Sequence, residues 1–153
     1  YSNLSQLKAK KRALYKFWSF RDTDHRTEQN EARMDFEKSV EYANVYYNEP
    51  IREGWNSDRG RTLIKYGFPQ QIDRYEQKSN QKACEVWFYG SDFGGLYFYF
   101  VEISNTNDYR LVNSTHPDEV SNEYWVEEYN PAIDDPSLIE RNHNYMREYE
   151  NNR

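Results

Sequence analysis

Near residue 70 the apolar residues of this chain stop recurring at every third or fourth position and begin to recur at every second. Before that point, Leu4, Leu7, Leu14 and Trp18 fall on one helical stripe over Ser5 to Phe20. After a polar break at Asp22 to Arg26, Thr27 is placed to cap a second helix, whose stripe is Ala32, Phe36, Val40, Ala43 and Tyr47. Pro50 and Gly54 mark its end. From residue 72 onward, Ile72 to Glu76, Cys84 to Tyr89, Leu96 to Ser104 and Tyr109 to Ser114 read as strands of an antiparallel meander. The run Leu96 to Val101 is apolar on both faces, which predicts a central strand covered on both sides. The expected class is therefore α+β, with N-terminal helices packed on a three- to five-stranded antiparallel sheet.

Between helices and strands lies a dense run, Gly54-Trp55-Asn56-Ser57-Asp58-Arg59-Gly60-Arg61, closed by Gly67 and Pro69. A large aromatic, a polar turn and two glycines in so short a span describe a packed junction. The reading buries Trp55 between a helix end and the turn, and makes Ser57 or Asp58 the cap of a short helix from Ser57 to Tyr66. Arg59 and Arg61 either hold a carboxylate of a ligand or partner, or pair with Asp58, Glu85 or Asp108 and staple the helix to the sheet. The structural staple is preferred, with Asp108-Tyr109-Arg110 as its other half.

This run resembles the signature of the bacterial GWxTD domain, and the resemblance continues on both sides. Phe17-Trp18-Ser19-Phe20-Arg21-Asp22 is similar to that family's FWxxRD segment, while Glu28 to Asn30 and Tyr42-Ala43-Asn44 resemble its ENE and YAN helix. Tyr66-Gly67-Phe68-Pro69 stands where YGPP is usual, Glu85 to Tyr89 resembles EIWYY, and Asp108 to Val112 resembles DYRLVHS. Ser57 replaces the motif Thr but keeps its hydroxyl; Phe68, Asn30 and Asn113 also depart from the pattern. What the resemblance implies is a bacterial cell-envelope setting, periplasmic or outer-membrane associated, and no particular chemistry.

Charge divides the chain at the same place as the resemblance. From Asp118 to Arg153 there are ten acids against three bases, so this segment holds more than the whole chain's net −6. The expected organisation is a GWxTD-like unit over 1–117 and a helical acidic C-terminal arm over 118–153. Its elements would be a short helix beyond Pro117, a linker at Pro131 to Pro136 and a last helix over 137–149. Removing 130–153 is expected to leave the core folded. The acidic balance argues against a nucleic-acid partner; Lys8, Lys10, Lys11 and Arg12 read as one solvated helix face. No run is long and apolar enough for a transmembrane segment, and a first residue other than Met suggests processing.

Candidate chemistry is sparse. His25, His116 and His143 lack metal-ligand spacing, the glycines lack a phosphate-loop pattern, and Ser57 lacks a nucleophile context, so no metal, cofactor or catalytic residue is assigned. The lone Cys84 reads as a half-buried structural thiol. With 18% aromatic residues, rings must build much of the core, yet Trp87, Tyr89, Phe93, Tyr97, Tyr99 and Trp125 are also candidates for an exposed face that grips a protein, glycan or peptide. The preferred function is a non-enzymatic interaction or assembly module docking on a protein partner through its arm or that sheet face. A glycan- or peptide-binding module comes second and an enzyme third.

Overall fold

The computed structural model describes residues 2–90 and 95–139. Helix α1 (Ser2–Arg21) and helix α2 (Glu31–Tyr46) come first, followed by a 3-10 turn (Gly54–Asn56) and helix α3 (Asp58–Tyr66). Strands β1 (Gln71–Tyr75), β2 (Cys84–Tyr89), β3 (Leu96–Glu102) and β4 (Tyr109–Ser114) form one antiparallel sheet in chain order. A short helix α4 (Trp125–Tyr129) completes the named elements. The α+β reading and its four strands stand, with β1 starting one residue earlier and β3 ending before the turn at Ser104.

Alternation along the strands divides the apolar side chains between two faces. Trp87, Tyr89, Phe98, Phe100 and Leu111 point toward the helices, where Ala43, Tyr47 and Leu63 meet them. Cys84, Val86, Tyr99, Val101 and Val112 point the other way, onto Trp125 and Leu138. A register shift at Tyr99/Phe100 in the β3–β4 ladder lets both faces stay filled while the sheet turns. Cys84, expected half-buried, is 1% exposed because it lies on this second face under the C-terminal segment.

That segment is built into the fold as far as it is described. Lys82 N–H donates to Asn130 C=O, and Ala132 N–H returns the bond to Lys82 C=O, so residues 130–132 run alongside the start of β2. The Tyr99 hydroxyl donates to Leu138 C=O at 2.8 Å across the same face. As far as it is described, the acidic segment covers the second sheet face, which would otherwise leave Tyr99 and Val101 in water. Residues 136–139 are helical; the rest of the expected last helix lies outside the described residues, as does Phe93.

Two helix expectations are corrected. The cap of α2 is Asn30, whose Oδ1 accepts Arg33 N–H at 2.9 Å while its Nδ2 donates to Trp18 C=O, holding the end of α1 against the start of α2. Thr27 instead sits in the preceding turn, its hydroxyl 2.7 Å from Glu31 Oε1. The apolar stripe of α1 is not buried: Leu4, Leu7 and Leu14 are 58%, 49% and 58% exposed. Helix α1 meets α2 near its own C-terminal end, where the Trp18 and Phe36 rings lie 5.3 Å apart; before Trp18 the stripe faces Arg33, Met34 and Glu37 of α2 across an open cleft of about 1000 Å³.

Candidate functional site: the glycine junction and its groove

The motif run is where α2, the 3-10 turn and α3 touch backbone to backbone. A Cβ on Gly54 would lie 1.8 Å from Ala43 C=O, and a Cβ on Gly60 would lie 1.7 Å from Gly54 C=O, so only glycine permits this stacking at either position. The freed amides are met by side chains of α2 and the residues just after it. Asn44 Oδ1 accepts Trp55 N–H at 2.9 Å and Asn48 Oδ1 accepts Gly54 N–H at 2.6 Å. Ser57 caps α3, its Oγ accepting Gly60 N–H at 3.0 Å while donating to Gly54 C=O at 2.8 Å. Both capacities of that hydroxyl are engaged in the backbone, which is a cap's arrangement and not a nucleophile's. Gly67 ends α3 at φ +80, its N–H on Leu63 C=O, and Pro69 follows in the turn to β1.

Charges fasten this junction to the sheet. Asp58 accepts Leu111 N–H of β4 at 2.8 Å through one oxygen and Arg52 Nη1 at 3.0 Å through the other. Arg59, 3% exposed, reaches Glu85 of β2 at 3.2 Å, and its guanidinium lies 3.9 Å from the Tyr109 ring centroid and 4.9 Å from that of Tyr47. Glu85 also accepts Trp87 Nε1–H at 3.0 Å. Of the three carboxylates open to Arg59, the structure pairs it with Glu85, joining α3 to β2. Asp108 pairs with Arg110 at 3.3 Å, facing Arg52 as well. Arg52 also holds Glu49, whose carboxyl is pushed up by burial against the pull of that guanidinium.

Arg61 lies on the surface instead and pairs with Glu119 at 3.1 Å, where Lys65 Nζ and the Tyr66 hydroxyl converge on the same carboxylate. Burial alone would raise the Glu119 carboxyl, but the hydrogen bonds from Arg61, Lys65 and Tyr66 outweigh it and bring it down to about 2. Sequence reasoning missed Glu49, Arg52 and Glu119. They lie outside the motif run in segments with no periodic pattern; Asn44 alone carried a signal, as the last residue of Tyr42-Ala43-Asn44.

Trp55 is the one large motif side chain that the junction leaves outside. It is 46% exposed, contrary to the buried placement expected. Because the Gly54 backbone itself fills the contact with α2, the next side chain in the 3-10 turn is directed outward. There it lines an open groove of about 740 Å³ between α2 and α3, with Phe36, Val40, Asn44 and Ile64. Phe36, Val40 and Asn44 also line a shallower extension of about 420 Å³ toward Val45. The rings expected to form a sheet-face patch are elsewhere: Trp87, Tyr89, Tyr99 and Trp125 are 0%, 3%, 0% and 1% exposed. Burial in the two cores claims them, since a chain short of Ile and Leu fills its interior with rings. Tyr97 is half-buried, its ring centroid 4.9 Å from that of Phe88.

No group of three or more His, Cys, Asp or Glu among the described residues is arranged to hold a metal ion. His25 sits in the turn after α1, 3.6 Å from Asp22, and His116 packs against Tyr66, with ring centroids 5.1 Å apart; His143 lies outside the described residues. Burial pushes the Cys84 thiol well up, with Glu85 adding to the effect. No described helix is long and apolar enough to cross a membrane. Among protein families, the model of the GWxTD domain matches residues 1–130. No curated protein and no solved structure matches the chain.

Proposed function

The chain belongs to the GWxTD domain family, and we propose that it acts as a non-catalytic interaction module that docks a protein partner in the groove beside Trp55. The observation that carries this reading is the contrast within the motif. Gly54, Ser57, Asp58, Arg59 and Gly60 are all engaged in holding the junction together, whereas Trp55 extends into a groove with an apolar floor. Phe36 and Val45 on the same helix are 42% and 65% exposed, so the apolar surface continues along α2. Exposed Trp with flanking aliphatic and aromatic side chains is the composition of a binding hot spot. The docking element is thus the helical side of the molecule, not the sheet face or the C-terminal strap. A glycan- or peptide-binding sheet face loses its basis with the burial of Trp87, Tyr89 and Tyr99.

The cell-envelope setting, periplasmic or outer-membrane associated, belongs to this proposal and rests on the family resemblance. A photocrosslinking residue at Val40, compared between the parent and Trp55→Ala in envelope extract, tests the reading. The expected result is one specific adduct that Trp55→Ala abolishes. Trp55→Ala is expected to cost at most about 1.5 kcal/mol of stability, well below the 3–5 kcal/mol of a fully buried large ring, since much of the ring is already in water. An adduct indifferent to Trp55, or no adduct, overturns the proposal.

A further inference from the structure

Helix α1 presents a second apolar surface that the described residues leave largely exposed, and its charge is of one sign. It carries Lys8, Lys10, Lys11, Arg12, Lys16 and Arg21 and not one acidic residue. Leu4, Leu7, Leu14 and Tyr15, all on the side of the helix that bears Trp18, are 58%, 49%, 58% and 75% exposed. An apolar stripe on a helix gains most from being covered, and among the described residues that of α1 is packed near Trp18 and otherwise lines an open cleft shared with Arg33, Met34 and Glu37 of α2.

The Trp55 groove complements it. Its apolar floor is open, and its basic rim is partly offset, because Arg61 and Lys65 share the single Glu119 carboxylate and keep one positive charge between them. Arg33 is likewise paired with Glu37 at 2.8 Å. Glu41 and Glu53, flanking the groove along α2 and at the 3-10 turn, have no ion pair among the described residues. With these two carboxylates against the one positive charge left over on the rim, the groove is net negative, while α1 is positive. The two surfaces also adjoin: Phe36, against which Trp18 packs, is itself a wall of the groove. Helix α1 cannot turn back over its own groove while Asn30 holds Trp18 C=O at the start of α2.

From these surfaces we propose that the occupant of the Trp55 groove is helix α1 of a second copy of this chain, laid in with its leucines on Trp55 and its flanking lysines toward Glu41 and Glu53. This rests on the groove being a docking site and names the partner that fills it. Helix-in-groove contacts draw affinity from the apolar anchors, and charge contributes encounter rate and orientation.

Sedimentation equilibrium of the chain over a concentration series is the test, with two variants that each spoil one half of the contact. Leu7→Glu/Leu14→Glu alters α1 at exposed positions and Trp55→Asp alters the groove; circular dichroism verifies that both remain folded. The parent is expected to self-associate, less at high salt, and each variant to be monomeric. Mixing the two variants is expected to restore association as one-to-one pairs, since one groove and one helix remain intact between them. A parent that stays monomeric, variants that associate as the parent does, or a mixture that fails to recover overturns the proposal. Binding of α1 to vesicles of anionic lipid, lost in Leu7→Glu/Leu14→Glu but not in Trp55→Asp, assigns the helix to a membrane surface and overturns it equally. A monomeric parent that still gives the Trp55-dependent adduct in envelope extract refutes self-association while leaving the docking function standing.

Discussion

Replacing Gly60 by alanine adds a single methyl group, and the structure says that it has nowhere to go. The new Cβ would lie 1.7 Å from the Gly54 carbonyl oxygen and 3.1 Å from Ala43 Cβ. The obstructing atom is backbone, so no rotamer change relieves it; α3 must move away from the 3-10 turn, and the Ser57 cap and the Asp58 bond to Leu111 move with it. Overpacking of this kind costs about 1–3 kcal/mol, and a rigid backbone neighbour puts Gly60→Ala at the upper end, about 3 kcal/mol. For a chain of this size that is a fall in melting temperature of roughly 6–12 °C. Gly67→Ala is the control. It has φ +80 but no atom within 4 Å of its Cβ, so it meets backbone strain without a clash. Its cost is about 1 kcal/mol, or roughly 2–4 °C. Thermal melts followed by circular dichroism compare the two. Equal shifts, or a Gly60→Ala melt within about 2 °C of the parent, would refute the backbone-contact account of the motif.

Glu119 should give the fold an acid-sensitive component. Its carboxyl titrates at about 2 when folded, against an ordinary 4.5, so its contribution is complete above the ordinary value and disappears as pH falls through the folded one; the size is on the order of 1–2 kcal/mol after allowance for solvent around the cationic heads. Melting temperature measured from pH 6 to pH 2 should therefore fall more steeply for the parent than for Glu119→Gln, and parallel curves would count against it. Cys84, buried under the strap with its thiol raised, should resist alkylation in the folded protein and react fully in denaturant; rapid native labelling would contradict its placement. Ending the chain after Tyr129 removes the Lys82–Ala132 bond and the Leu138 cover over Tyr99, so the truncated protein should lose cooperative melting or bind a hydrophobic dye. A sharp, unshifted transition would show the strap to be dispensable.

The layered architecture was legible because it follows from periodicity. Cys84 to Tyr89 and Tyr109 to Ser114 are short runs holding aromatic and β-branched residues between polar or glycine-containing turns, and the strands fall on those residues. Burial was less legible, since both a half-exposed helix and a buried one show the same stripe: Leu4, Leu7 and Leu14 have the spacing of a core face without a core beside them. Trp55 misled for a related reason. Sequence tells that a large ring belongs to a constrained turn, but which way a 3-10 turn directs it depends on which neighbour fills the contact, and here the glycine does. The ion pairs were partly legible, because Arg59 and Glu85 are partners by charge alone, whereas Glu119 reaches Arg61 and Lys65 across more than 50 residues of chain and Arg52 holds Glu49 and Asp58 from an aperiodic turn.

The three-way contact of Ala43, Gly54 and Gly60 bears on how the surface above it behaves over time. Helices separated by long side chains can slide as those side chains change rotamer; here main chain rests on main chain, and no torsion is available to absorb a displacement. Helices α2 and α3 must then travel together or not at all, and the walls of the groove keep one spacing whether or not anything lies between them. A partner meeting such a surface finds it already shaped. The entropy of association is lost mostly by the incoming segment, and free and bound forms should differ in side chains rather than in backbone.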